Sequence, residues 1–306
     1  MANTTFSGPV RSENNVQLIS KTASTGVIHD RTQMSSKLWD ARRYYLYEPF
    51  LQRPGLNAIN IIDADANDAT ALAATQAANK NFETLGTNYT TALTTFPGTQ
   101  AGILMTTATA DQDQAILLPH LDTNQSAWSK VLWGTENQVE WECSINLAAT
   151  DNQKVWAGLK LTNDQLPETD ANQAYFYYAS DATNGQSLST FTPWYFIQSV
   201  GGTDYLTNTG VTVAASTNYH FRISIDSDRK PSIFINGVQY SATTTAATTF
   251  DGSTEVTGTT QATIAESYSA TNANTQKSAA MKNDIDLIPY IGIEACLLYT
   301  SDAADE

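Results

Sequence analysis

The sequence predicts an all-β fold, a sandwich or jelly roll built from antiparallel strands. Only 15% of the 306 residues are charged and 10% are aromatic, a balance that favours strands and turns over solvated helices. From about residue 82 onward, short apolar runs recur between turn-forming residues, as in a β-sandwich of many short strands. Between residues 219 and 225 apolar and polar residues alternate strictly, which gives a strand one buried and one wet side.

The first part of the chain is predicted to contribute little to this sandwich. Residues 1–35 are rich in Ser and Thr, sparse in apolar residues and interrupted by Gly and Pro, so we expect an extended N-terminal arm. Residues 36–55 predict either a short helix capped by Ser36 or an aromatic strand, and two prolines close the segment. Residues 1–55 are therefore assigned to the arm and a connecting segment.

Residues 56–295 are assigned to the jelly-roll domain, which we expect to contain one short helix. Residues 66–80 are rich in Ala, the strongest helix former, and Asn67 can cap the first turn. The strands that follow are predicted at residues 103–105, 115–118, 139–145, 155–161, 174–178, 194–197, 219–225, 232–235, 238–240 and 285–295. Asn236-Gly237 predicts a type I′ hairpin turn, because both central positions need a positive φ.

Charge and cysteine content exclude several classes of function. The formal net charge is −15 and there is no basic run, which argues against direct binding of nucleic acid. No stretch approaches the about 18 apolar residues that a membrane helix needs, and no signal peptide is recognisable. Cys143 and Cys296 are the two cysteines. No disulfide framework is expected, and a reducing cytoplasm is the predicted site of synthesis.

Glu140 and Glu142 are the strongest candidates for catalysis. Spaced two apart on a strand, they share one face, and paired carboxylates on a sheet are what glycosidases use. Jelly-roll glycosidases of the laminarinase type carry a Glu-x-Asp-x-x-Glu pattern, whereas here Glu142 stands at the third position and Ile145 at the sixth. An outward polar face is the favoured interpretation, so no catalytic residue is predicted.

Metal and cofactor sites are not predicted either. Residues 111–113, 151–152 and 226–228 carry Asp, but Asp also starts turns through its own side chain, and none has the spacing of a calcium loop. The three histidines are isolated, and neither a phosphate loop nor a nucleophile elbow occurs. Cys143 alternates with Glu142 and is expected to point inward as an inert thiol.

Aromatic residues offer a different candidate site. Trp128, Trp194 and Tyr205 are the candidate contacts for a sugar ring, which stacks well on an aromatic side chain. The alternative is that each tryptophan packs in the core, which is favoured because most of them stand in apolar runs.

The final stretch, residues 296–306, resembles the translation of a sequencing transposon adapter. The order Cys-Leu-Leu-Tyr-Thr-Ser followed by Asp-Ala-Ala-Asp-Glu is the one that the adapter encodes in one frame. The resemblance implies that the native sequence runs to about Ala295 and that the chain derives from environmental DNA. We then expect the strand at 285–295 to lack its proper neighbour, and Cys296 to have no role.

Two further stretches resemble known families. Residues 6–14 resemble the start of virion structural proteins of marine tailed phages, although Asn15 stands where that family has Gly. Residues 219–240 together with 288–295 are similar to the late strands of concanavalin A-like (laminin G-like) jelly rolls, a likeness that extends over roughly residues 85–295.

These resemblances imply a virion structural protein, such as a capsid decoration or fibre component, with no catalytic activity. It would assemble in the host cytoplasm, reside in the virion, and contact other virion proteins and copies of itself as a homo-oligomer. The candidate assembly contacts are the aromatic and apolar residues of the arm, Phe6, Val10, Tyr44, Tyr45 and Tyr47. The alternatives are a lectin-like module that binds host surface glycan and, third, a polysaccharide hydrolase.

Overall fold

The computed structural model describes residues 19–21, 28–30, 46–50, 82–85, 93–95, 102–107, 110–119, 133–160, 170–180, 188, 191–240, 242, 262–263 and 279–296. Within these ranges the chain forms strands, with one short 3₁₀ helix at Thr135–Asn137. No helix in them has the length and hydropathy to cross a bilayer. The helix predicted at 66–80 lies outside the described residues, as does most of the predicted arm.

The all-β prediction is confirmed. The strands are β1 (Ile19–Lys21), β2 (Ile28–Asp30), β3 (Phe82–Leu85), β4 (Leu93–Thr95), β5 (Ile103–Met105), β6 (Gln114–Pro119), β7 (Trp133–Gly134), β8 (Glu140–Asn146), β9 (Gln153–Lys160), β10 (Asn172–Ala179), β11 (Pro193–Val200), β12 (Thr203–Thr212), β13 (Asn218–Ile225), β14 (Pro231–Ile235), β15 (Val238–Tyr240), β16 (Ala262–Thr263) and β17 (Asp286–Ala295). Each predicted strand coincides with one of these. The ten-residue β12 was not predicted, because its Thr- and Asn-rich sequence carries no apolar run.

Two large sheets contain nearly all of the strands. The six-stranded sheet has the order β1-β2-β15-β14-β13-β8. The nine-stranded sheet has the order β16-β12-β11-β10-β9-β17-β6-β3, with β7 also paired to β17, and β4 and β5 form a separate hairpin. Every described pairing is antiparallel except that of β12 with β16. Pairs such as β13–β14 join neighbours in the chain, whereas β8–β13, β2–β15 and β6–β17 join strands that are far apart in the sequence.

The turns around β14 follow from the sequence. Asn236 and Gly237 have φ values of 51° and 78°, so the predicted turn with two positive φ values is confirmed. On the other side, Asp226 accepts hydrogen bonds through Oδ1 from the N–H groups of Asp228 and Lys230, both at 2.9 Å. This aspartate therefore forms a turn, as its type favours.

The two sheets pack face to face over an aromatic inner core. Phe176 of β10 stacks on Phe221 of β13 with ring centroids 4.4 Å apart. Trp194 of β11 meets the same Phe221 edge-on at 4.7 Å. All three side chains are fully buried. Because they come from both sheets, the molecule is a β-sandwich whose two layers are held together by aromatic packing.

A second hydrophobic cluster, the outer core, lies on the opposite face of the nine-stranded sheet. It contains Trp156, Tyr175, Tyr177, Tyr195 and Tyr290, none more than 1% exposed. Strands β9 and β10 are buried at every position. In a sandwich of only two layers, the outward face of each sheet is exposed to solvent. The nine-stranded sheet differs, because its outward face is buried.

Two glycines allow close packing on this outward face. A Cβ atom on Gly292 would lie 2.3 Å from Cε2 of Trp156, its partner across β17 and β9. A Cβ on Gly158 would lie 2.5 Å from the Cα of Tyr175. The indole of Trp156 thus covers the bare backbone of Gly292, an arrangement that fills the gap a strand glycine leaves.

We expected residues 285–295 to have a missing or improvised partner strand, and the first of these alternatives is wrong. β17 pairs with β9 along Ile288–Ala295 on one side and with β6 along Ile291–Glu294 on the other. β17 is a central strand, because it has a hydrogen-bonded partner strand on each side. Cys296, directly after it, is buried, and its N–H donates to the carbonyl oxygen of Asn152 at 2.9 Å. Residues 297–306 lie outside the described residues.

Candidate functional site

The predicted glycan contacts do not come together. Trp194 is 0% exposed and belongs to the inner core, so its assignment as a sugar contact is wrong. Its ring packs against those of Tyr178, Tyr219 and Phe221. Tyr205 is half-buried and pairs in register with Gln198. Because Gln198 and Trp194 are four residues apart on one strand, Tyr205 lies on the side that faces the other sheet. Trp128 lies outside the described residues.

One predicted assembly contact can be located. Tyr47 is 58% exposed. In the described part of the chain, the other large hydrophobic side chain that is exposed is Leu104, at 40%. Phe6, Val10, Tyr44 and Tyr45 fall outside that part. An exposed tyrosine suits a contact surface, because its ring adds apolar area at a low entropic cost. Its role in assembly stays a prediction.

Glu140 and Glu142 lie on the outward face of β8, as the spacing predicted. Between them on the chain, Trp141 points into the sandwich and is 7% exposed. Across the sheet, Glu140 faces Ser224 and Glu142 faces Arg222 of β13. The Ser224 hydroxyl donates to Oε1 of Glu140 at 3.4 Å. The outward face of the six-stranded sheet is therefore polar and partly solvated.

Arg222 occupies the space between the two carboxylates. Its Nη2 lies 3.9 Å from Oε1 of Glu140, and its Nε lies 3.8 Å from Oε1 of Glu142. The guanidinium carbon stands 4.3 Å above the ring of Phe234 on the next strand. A sugar bound between the carboxylates would have to displace this cation. The group is a cross-strand ion-pair ladder that stabilises the sheet.

His220 extends the ladder by one step. Its Nε2 lies 3.7 Å from Oε2 of Glu142, and its side chain is 48% exposed. Ion pairs in such exposed settings contribute little to stability, about 0–1 kcal/mol. We therefore name residues Glu140, Glu142, His220, Arg222 and Ser224 the polar ladder, and treat it as a surface rather than as a catalytic centre.

Cys143 lies on the opposite side of β8 from the ladder and packs against the inner core. Burial raises the pKa of the Cys143 thiol to about 12, because the thiolate loses its hydration there. The expected inert thiol is thus supported, since only the thiolate is an effective nucleophile or metal ligand.

In two of the Asp-containing turns, those of Asp113 and Asp226, the carboxylate accepts hydrogen bonds from backbone N–H groups. Oδ2 of Asp113 accepts from the N–H of Ala110 at 2.7 Å, which closes the turn before β6. Within the described ranges, no group of three or more His, Cys, Asp or Glu side chains is arranged to bind a metal ion.

The sequence did not reveal two buried ion pairs on the outward face of the nine-stranded sheet. Lys154 Nζ lies 2.9 Å from Oε1 of Glu294, whose Oε2 accepts from Nε2 of Gln114 at 2.5 Å. Lys160 Nζ lies 3.7 Å from Oδ2 of Asp170 and 4.5 Å from the ring centroid of Tyr290. The alternation along β9 places both lysines on the same side of the strand as Trp156. The sequence did not show that Asp170, ten residues after Lys160, and Glu294, 140 residues after Lys154, are their partners. These pairs bound the outer core at two ends.

Comparison with known proteins gives no family. No family model and no curated protein matches the chain. Among solved structures, domains LG4-5 of the mouse laminin alpha1 chain are similar over 52% of this chain at 12% identity, with a TM-score of 0.20. The match spans 40% of the laminin structure. With so low a TM-score, the likeness supports neither a fold assignment nor a function.

Proposed function

We propose that the chain is a non-catalytic structural protein of a viral particle, a capsid decoration or fibre component with a concanavalin A-like (laminin G-like) jelly roll. The observation that carries the proposal is the polar ladder. Glu140 and Glu142, the carboxylate pair that the sequence singled out for catalysis, both lie within 4 Å of Arg222 in the described part of the chain. The two glutamates that the sequence offered for catalysis thus form cross-strand ion pairs within the sheet.

The packing of the sandwich also supports a structural role. Both faces of the nine-stranded sheet are buried, and aromatic side chains dominate each face. A sheet packed on both sides is stiff, which suits a part that bears load or fixes the spacing of neighbours. The resemblance of residues 6–14 to phage virion proteins supplies the kind of particle. Assembly would take place in the host cytoplasm, with other virion proteins and copies of this chain as partners.

Glycan binding is the alternative function. Of its three predicted contacts, Trp194 is buried and Tyr205 faces the sandwich interior, so the remaining support is Trp128. A glycan array of the recombinant chain separates the two functions. Binding that is lost in Trp128→Ala but kept in Trp133→Ala would favour the lectin-like module over the structural protein.

The direct test is immunodetection on intact particles. Antibodies raised against the recombinant chain should bind particles purified from a host culture that carries the gene, and should deplete them from solution. Particles of an unrelated phage serve as the control. A chain found in infected cells but absent from purified particles would contradict the proposal.

A further inference from the structure

The last strand of the six-stranded sheet, β8, has an edge that no strand of the described residues covers. β8 pairs with β13 on one side, and none of the described residues pairs with it on the other. The N–H of Ile225 donates to the carbonyl of Val139 at 2.8 Å, so odd-numbered residues of this stretch direct their backbone groups toward β13. In an extended strand the backbone groups of Glu142, Ser144 and Asn146 then point away from the sheet.

The edge carries none of the features that normally block pairing with another strand. Glu140–Asn146 contains no Pro, Gly or Lys, and its seven residues run without a bulge opposite β13. Ser144 and Asn146 are exposed. The two carboxylates are partly neutralised by Arg222 at 3.8 and 3.9 Å. A long, regular edge of this kind is a template for an added strand.

We propose that β8 is the contact between two copies of this chain. The two strands would run antiparallel about a two-fold axis at Cys143 and join the two six-stranded sheets into one continuous sheet. A two-fold contact is self-complementary, so the same surface serves both copies.

The charges of β8 select this register. With the axis at Cys143, Glu142 of one copy lies opposite Ser144 of the other, and Glu140 lies opposite Asn146. Each carboxylate thus meets a hydrogen-bonding side chain. Because Glu142 and Ser144 both direct their backbone groups outward, they form a hydrogen-bonded pair, as an antiparallel ladder requires.

The neighbouring registers are worse. An axis at Glu142 would place that carboxylate opposite its own copy, and an axis at Trp141 would place Glu140 opposite Glu142 twice. Like charges directly opposite one another destabilise a sheet. An axis at Ser144 leaves Glu140 without a partner in β8. The axis at Cys143 is the one that pairs all seven residues without opposing carboxylates.

The dimer rests on the proposed function, because it specifies one contact between copies of a structural protein. It is expected to form in solution, in the absence of viral particles. Its failure would leave detection on particles untouched, and absence from particles would leave the dimer untouched. The two proposals are therefore tested separately.

Substitutions at Ser144 test the contact and its register together. Sedimentation velocity of the full chain over a range of concentrations should show a reversible dimer. Ser144→Glu places a carboxylate opposite Glu142 twice per dimer and should raise the Kd about tenfold, whereas Ser144→Lys should lower it about tenfold. Ser144→Thr is the matched control and should leave the Kd unchanged.

Hydrogen exchange of the wild-type chain gives a readout that needs no variant. Peptides that cover residues 140–146 should exchange more slowly at high than at low concentration, while those that cover 231–235 should not change. A chain that stays monomeric, unchanged exchange at 140–146, or equal weakening by Ser144→Glu and Ser144→Lys would overturn the proposal.

Discussion

The two outward faces of the sandwich are built in opposite ways. On the six-stranded sheet the outward side chains of β8 and β13 form the polar ladder, in which Glu140 and His220 are exposed. On the nine-stranded sheet the outward side chains are aromatic and buried, with Trp156 and Tyr290 each 1% exposed. Among the described residues, the nine-stranded sheet is therefore buried on both faces around its central strands, while the six-stranded sheet has a polar, partly exposed outward face.

The largest expected effect comes from removing an aromatic side chain from the buried outward face. Trp156→Ala should lower the free energy of unfolding by about 3–5 kcal/mol, because it deletes a large buried side chain and leaves a cavity. Glu142→Gln on the other outward face should cost less than about 1 kcal/mol. Denaturant unfolding of both variants measures the contrast, and equal losses would show that the two faces do not differ as described.

A smaller effect is expected from filling the space under the same indole. Gly292→Ala places a Cβ within 2.3 Å of Trp156, and such overpacking costs about 1–3 kcal/mol. In a Trp156→Ala background the same substitution should cost much less, since the obstructing ring is gone. A double-mutant cycle measures this coupling. Strict additivity would mean that Trp156 does not cover Gly292.

The smallest effect concerns Cys143, which lies beneath the polar ladder. Its folded pKa is raised to about 12 from 9.0, so above pH 9 the unfolded chain loses the thiol proton while the folded chain keeps it. Stability should therefore fall between pH 8 and pH 10, by up to about 1 kcal/mol more in the wild type than in Cys143→Ala. Parallel curves for the two proteins would exclude this burial.

The sequence predicted the strands but not the roles of their two faces. Apolar and polar residues alternate along Tyr219–Ile225, which predicted one buried side, and in the structure the apolar residues of this stretch are buried. In β10 and β11 no such contrast exists, because Tyr175 and Phe176 are both apolar enough to be buried. The strand therefore gives no local sign of which side meets the other sheet. For Trp194 the sequence favoured core packing but left a glycan contact open, and the structure places this side chain in the inner core.

Long-range pairing was also out of reach of local patterns. The apolar run of β17 is the same whether the strand lies at an edge or in the middle of a sheet. Its central position depends on β6, which is more than 160 residues earlier in the chain. The polar ladder was predicted only in part for a similar reason. The spacing of Glu140 and Glu142 predicted that both lie on one face of β8, but it gave no sign that Arg222 of β13 lies between them.

The central claim is that the chain is a structural component rather than an enzyme or a lectin, and its copy number in particles tests this most directly. Quantitative mass spectrometry of purified particles should find it in a fixed ratio to the main shell or fibre protein, at many copies per particle. Detection at trace levels that vary between preparations, or no detection at all, would contradict the claim.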